Sequence, residues 1–387
     1  MEPLLTAVEK RPDDKSLLRD AAWACWGAAR NGGTFASAYL EDGLVYARRS
    51  GDVLLTANLL YELSRWEDAL AGYMEAKDSL HVRVRIAHCL AALKRADESK
   101  TAYAFALDEA IRAKDLRSAY DLAWRAKQSG RFLGWMDKLV KAAPRNVGLR
   151  MYRGYMREAL QMWKEAAEDL AVVIELRPDH PAARQRLART LYLVGSTDQN
   201  VDAIAKSEAM ARALLKADSG DKMSWQTLYW VSGWAWVNGD VPRTYSILKL
   251  LHAADSSDVQ VALGLCGMAR RLGKYDEAEQ VFVSMLEEFE DDPDLLNDYA
   301  ILKDGRGQRD EALKLWRRVL DVDPGNLNAL ENLFTKTWES GKRADAADLL
   351  EKGIAAAKKT KKPASIRRWA WFANRMKWAP SGFGGES

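Results

Sequence analysis

The sequence predicts an all-α protein built as a solenoid of about eight helix-turn-helix repeats closed by a C-terminal capping helix. Two observations carry that prediction. Gly239, Gly273, Gly307 and Gly341 recur at one constant interval, with no slippage. In phase with them come Thr244, Ala278, Ala312 and Ala346, then the bulky Leu248, Phe282, Trp316 and Leu350. A fixed period of this size means small units that bury their apolar faces on one another, not one closed core.

One unit shows why the segments should be helical. In Val259–Asp292, Val261, Ala262, Leu265, Cys266 and Ala269 recur at spacings of three and four, which lines them on one helix face. Gly273 can adopt the left-handed conformation that ends a helix. Tyr275, Ala278, Phe282 and Met285 then make the face of a second helix. Small residues at Cys266 and Ala278 let the two backbones approach, and Tyr275 and Phe282 fill the space to the next pair. Asp292 and Pro293 restart the pattern as N-cap and first helical residue.

This pattern resembles the tetratricopeptide (TPR) repeat, W-x2-L-G-x2-Y…A-x3-F…P over about 34 residues. Gly307-Gln-Arg-Asp-Glu-Ala312-Leu-Lys-Leu-Trp316, closing on Asp323-Pro324, matches the second half of the motif, as does Gly273-Lys-Tyr-Asp-Glu-Ala278. The first halves depart from it. The motif's Trp and Gly are Leu228 and Ser232, Ala262 and Cys266, Leu296 and Ala300, Leu330 and Phe334. The resemblance implies a right-handed α-solenoid and a role in protein binding.

Along the chain, residues 1–143 read as degenerate helical repeats. Leu4, Leu5 and Val8 end a helix before Arg11-Pro12-Asp13-Asp14, and Leu17 to Cys25 begin another, broken at Asn31-Gly32-Gly33. Units follow through Trp66-Glu-Asp-Ala69 and through Cys89 to Tyr103, then a shortened one whose turn is placed at Gly130-Arg-Phe132. Residues 144–358 form the regular array, with Pro144 and Pro178 separated by the same interval as the glycines. A turn expected near Gly195 is followed by about nine extra residues within 196–205, either a lengthened helix pair or a loop. Residues 359–378 form a basic capping helix with Ile366, Trp369, Ala370, Ala373 and Met376 turned inward. The Pro/Gly/Ser-rich residues 379–387 read as a flexible tail.

Composition narrows the function. No apolar run approaches the roughly 20 residues of a membrane span, and Met1-Glu-Pro-Leu-Leu carries no basic segment or apolar core of a signal peptide. Cys25, Cys89 and Cys266 stand far apart on apolar faces, as buried free thiols would in a reducing cytoplasm. There is no Walker loop, no G-x-S-x-G and no H-E-x-x-H. His81 and His88 share a helix face without a carboxylate at ligand spacing, so no metal site is expected. No stretch remains for a catalytic domain. The expectation is a non-enzyme without cofactor.

Partner-binding residues come from the resemblance. In TPR proteins the first helices line a concave groove, and the corresponding positions here include Tyr155, then Gln185, Arg189 and Tyr192. They continue with Gln226, Tyr229 and Trp236, then Arg270, then Asn297. Aromatic and Arg side chains are common anchors for a peptide, but Tyr229 and Trp236 could equally pack against neighbouring helices. The chaperone-tail carboxylate clamp is disfavoured, because its positions hold Gln185, Arg189, Trp230, Gln260 and Gly264. A second candidate is the C-terminal segment. Lys359, Lys361, Lys362, Arg367, Trp371, Arg375 and Trp378 give it a basic, aromatic face in a chain of net charge +3. Such a face suits nucleic acid, an acidic partner or a structural complex, or stays a soluble cap with its own cation–π pairs.

Overall fold

The computed structural model describes residues 2–31 and 35–378, and the side chains of 4–31 and 35–374. Twenty-two helices and no strand occur among these residues. The chain divides into two compact units, residues 1–190 and 191–387. The division falls inside the array expected to begin at residue 144.

The first unit opens with α1 (Glu2–Lys10) and continues in pairs: α2 (Lys15–Arg30) with α3 (Ala36–Ser50), α4 (Val53–Glu62) with α5 (Trp66–Glu75), and α6 (Leu80–Ala92) with α7 (Ala96–Arg112). Then come α8 (Leu116–Arg125) with α9 (Ser129–Ala142), and α10 (Val147–Ala159) with α11 (Trp163–Leu176). Helices α12 (Pro181–Asp198) and α13 (Val201–Ala217) follow. The second unit goes on with α14 (Lys222–Val237) and α15 (Val241–Ala254), α16 (Val259–Arg271) and α17 (Tyr275–Glu288), and α18 (Pro293–Gly305) and α19 (Arg309–Val322). It ends with α20 (Leu327–Glu339), α21 (Arg343–Thr360) and α22 (Pro363–Trp378). From α2 to α21 the described residues thus hold ten helical pairs. The sequence pattern resolved about eight, because the early pairs are short and lack the glycine signal.

The two kinds of helix start differently. First helices of a pair begin on an Asx or Ser cap, except α12, where His180 Nδ1 accepts the Ala183 N–H at 3.3 Å. Asp258 accepts the Val261 N–H at 2.9 Å, Asp292 accepts Leu295 N–H at 2.9 Å, and Asn326 accepts Ala329 N–H at 3.1 Å. Most second helices begin instead from a left-handed residue. At Gly273 (φ 73°) the Gly273 N–H donates to Arg270 C=O and the Lys274 N–H reaches back to Ala269 C=O at 2.9 Å. Those bonds satisfy carbonyls at the end of α16.

Within a pair, close approach occurs at small residues twelve apart. The Cys266 thiol lies 3.5 Å from Ala278 C=O, and the Ser99 hydroxyl donates to Ala87 C=O at 2.9 Å. Large side chains such as Phe282 and Trp316 are buried in the core.

Two turns differ from expectation. Gly130 lies in the first turn of α9, and the left-handed residue is Lys127. Gly195 is inside α12, and Gln199 makes the turn before Asn200 caps α13. The extra residues therefore lengthen both helices instead of forming a loop. A Cβ on Gly195 would fall 2.6 Å from the Ile204 side chain, so this glycine serves close packing of α12 on α13.

Candidate partner-binding face

Helix α14 is apolar almost all round, from Trp225 to Val237. Such a helix buries one face and must still present aromatic residues on the other. Leu228, Val231, Ser232 and Ala235 are buried. Tyr229 is 39% exposed and Trp236 41% exposed. Tyr229 stacks in parallel on Trp225, centroids 5.5 Å apart, and Arg271 lies over the Trp236 ring at 4.7 Å. Tyr192 stacks on Trp230 at 5.6 Å. Gln226 is half-buried on the same helix.

The next first helix, α16, repeats the register. Gln260, Leu263, Gly267 and Arg270 stand one full repeat after Gln226, Tyr229, Gly233 and Trp236. Arg270 and Arg271 are exposed. Burial pushes the Asp298 carboxyl above the usual range, against the Asn297 hydrogen bond and the nearby charge of Arg270. Asn297 itself is 6% exposed, donates to Asp298 at 3.1 Å and accepts from Asn332 at 3.2 Å. Its expected place on an open face is corrected: its amide is used inside the protein. Thus Gln226, Tyr229, Trp236 and Arg270 share the first-helix face of α14 and α16.

In the first unit Tyr155 has structural partners. Tyr155 is half-buried, with Arg186 over its ring at 4.2 Å and edge contacts to Tyr120 and Tyr152. Burial pushes its phenol above the ordinary value. Arg186 also binds Glu158 at 2.5 Å, and Glu158 accepts from Thr190 at 2.7 Å. Gln185 and Arg189 are half-buried on α12.

At the C-terminus, Lys359 lies in the last turn of α21, Lys361 is left-handed (φ 56°) and Lys362 precedes α22; all three are exposed. Arg367 is exposed, and Trp371 is 51% exposed with its ring edge-on to Phe372 at 5.2 Å. The side chains of Met376, Arg375 and Trp378, and the expected tail 379–387, lie outside the described residues. The inward face of α22 is corrected. Trp369 and Phe372 are buried against Phe334, whereas Ile366 and Ala370 are exposed. The reason is a slot at Gly353: a Cβ there would lie 2.2 Å from the Trp369 ring. The overlooked signal was this glycine inside an otherwise continuous helix.

Of the histidines, His88 is built into the fold. His88 hydrogen-bonds the Tyr61 hydroxyl at 3.2 Å, and burial with the charges of Arg125 and Arg85 pushes its pKa down to about 4. Among the described residues no group of three or more metal-ligating side chains gathers. The three cysteines are free and buried; burial raises Cys89 to about 11 and Cys266 to about 12. No described helix is long and apolar enough to cross a membrane.

Residues 267–326 match the family model of YpiA-like, C-terminal tetratricopeptide repeats. That match spans the α16–α19 hairpins, where the glycine turns, Asx caps and small-residue contacts are clearest. Those residues are TPR repeats. Solved structures of similar fold include MamA, at 15% identity over 43% of this chain and 96% of that one, TM-score 0.36. YrrB, described as a TPR protein with an unusual peptide-binding site, is 14% identical over 51% of this chain and 96% of its own, TM-score 0.37. The C-terminal part of a TPR protein from Cytophaga hutchinsonii is 13% identical over 63% and 99%, TM-score 0.45. No curated protein matches the chain in sequence.

Proposed function

We propose that this protein is a non-catalytic, cytoplasmic scaffold that holds a segment of a partner protein on the first-helix face of α14 and α16. The observation that carries the reading is the pair Tyr229 and Trp236, large aromatic side chains left two-fifths exposed on one helix face, two turns apart. Aromatic anchors beside Arg supply most of the energy of many protein interfaces. The three buried free thiols support a reducing compartment.

The test is the affinity of a partner recovered by crosslinking in the native cell. Tyr229→Ala and Trp236→Ala should each weaken it by about 2 kcal/mol, with modest salt dependence. Unchanged affinity in both variants would defeat the proposal. A second reading, docking of nucleic acid or a complex subunit on α22, is favoured by the exposure of Trp371 beside Arg367. It requires a steep loss of affinity with salt and with charge removal at Lys359, Lys361, Lys362 and Arg367. Arg368 contributes less to that face, because it already pairs with Glu331.

A further inference from the structure

Helix α22 stands where a further first helix would stand. Asn332, the sixth residue of α20, donates to Asn297, the fifth of α18, at 3.2 Å. Arg368, the sixth residue of α22, makes the matching contact to Glu331, the fifth of α20, with its Nε donating at 3.1 Å. Trp369 and Phe372 are buried against Phe334 of α20. Helix α22 therefore stacks on α20 in the register in which α20 stacks on α18.

In this register the fourth and eighth residues of a first helix meet its own second helix. In α16 the eighth residue, Cys266, lies 3.5 Å from Ala278 C=O. Leu296 and Ala300 of α18 share a core with Ala312 and Trp316, and Leu330 and Phe334 of α20 share one with Ala346 and Leu350. All four of these first-helix residues are buried. In α22 the same places hold Ile366 and Ala370, and both are exposed. No second helix follows α22 among the described residues.

The preceding pairs show what such a seat takes. Each second helix brings a small residue to the crossing and a bulky one a turn later: Ala278 and Phe282, Ala312 and Trp316, Ala346 and Leu350. The occupant is thus an amphipathic helix, docked by one apolar stripe. Its charge follows from the rim. Lys359, Lys361, Lys362 and Arg367 are exposed and form no ion pair among the described residues. A second helix runs back along its first, so its last turn falls beside these cations. Acidic residues there complement them, as Glu287 and Glu288 would from the end of α17. Ala379–Ser387 is a poor source of the helix, because it holds Pro380, Gly382, Gly384 and Gly385.

We propose that the exposed Ile366–Ala370 face of α22 seats an acidic amphipathic helix of a partner protein, which completes the last repeat from outside. The site is separate from the α14–α16 face and rests on the second reading, in which a complex subunit docks on α22.

The experiment uses the full chain and fluorescence anisotropy with a labelled peptide of the α17 sequence, Tyr275–Glu288. A scrambled peptide of the same composition serves as comparison. The α17 peptide should bind more tightly than the scrambled one. Ile366→Asp and Ala370→Glu should each weaken it at least tenfold at an unchanged thermal midpoint, since both side chains are exposed. Joint replacement of Lys359, Lys361 and Lys362 by Ala should weaken it and flatten its salt dependence. The proposal is overturned if the α17 peptide fails to bind, if the scrambled peptide binds as well, or if the two seat variants bind like the wild type. Weakening by Tyr229→Ala or Trp236→Ala would put the peptide on the other face and overturn it too. Self-association of the peptide-free chain that Ala370→Glu abolishes would make the occupant a second copy and overturn the partner helix. If the lysine replacements weaken a natural partner or a single-stranded oligonucleotide while the two seat variants leave it unchanged, docking on α22 stands and the helix seat falls.

Discussion

At the scale of single residues, burial decides which side chains hold the fold and which stay available. Trp316 is buried to 1% exposure in the core of α18–α21, so Trp316→Ala should cost about 3–5 kcal/mol in chemical denaturation. Trp236, on an open face, should cost far less when truncated, since most of its effect belongs to binding. His88 makes a different prediction. Its folded pKa of about 4 lies below the ordinary 6.5. Between those values the unfolded chain takes up a proton that the folded chain refuses, so stability falls as pH drops from 6.5 toward 4 and is complete above 6.5. In His88→Asn the thermal midpoint should decline less steeply over that window. Equal slopes in the two proteins would show that His88 is not a source of the acid sensitivity. The placement of the candidate residues was readable only in part. Register alone aligned Tyr229 and Trp236 with the face they occupy. It could not show that Asn332 engages the Asn297 amide, or that Arg186 covers Tyr155, because both depend on which side chain turns toward which neighbour.

At the scale of the helical pair, one backbone device recurs throughout the chain with different residues. Gly239, Gly273, Gly307 and Gly341 hold φ between 73° and 80° at the turn between paired helices. Ser64, Lys94, Lys127, Gln161 and Gln199 take the same role with φ between 55° and 61°. At Gln161 the Met162 N–H still reaches Arg157 C=O at 2.8 Å, the bond that Lys274 makes to Ala269. Sequence pattern marked the turn only where glycine filled it, so the second half of the chain was legible and the first half was not. The same reliance on glycine as punctuation misplaced the turns at Gly130 and Gly195. A residue with a Cβ pays strain in the left-handed region that glycine avoids. Gln161→Gly should therefore stabilise the protein by about 0.5–1 kcal/mol, and Gly273→Ala should destabilise it by about 1 kcal/mol. Denaturant midpoints of the two variants, measured against the wild type, check the signs. Movement of both in one direction would refute a shared turn device.

At the scale of the whole molecule, stability is assembled from neighbours. The most extensive helix contacts join helices adjacent in the chain or next but one. Such an array behaves as a series of units coupled to their nearest neighbours, so damage should stay local. The first unit offers a severe test. Asp169 of α11 is fully buried and receives Arg150 at 2.8 Å, Arg153 at 2.6 Å and Arg157 at 2.6 Å, all from α10. Arg153 also reaches Asp137 of α9 at 2.8 Å. One carboxylate thus ties the α10–α11 pair and, through Arg153, the preceding helix. Asp169→Asn keeps the volume but leaves three guanidinium groups short of their shared charge, a loss of about 3–5 kcal/mol for a buried ion network. Hydrogen exchange in the variant should accelerate in α9, α10 and α11. Protection in α16 to α21 should remain at the wild-type level, because those helices belong to the other compact unit and bury their apolar faces on their own neighbours. Uniform acceleration across all these helices would mean that the chain unfolds as one cooperative block, and the nearest-neighbour account of its stability would have to be abandoned.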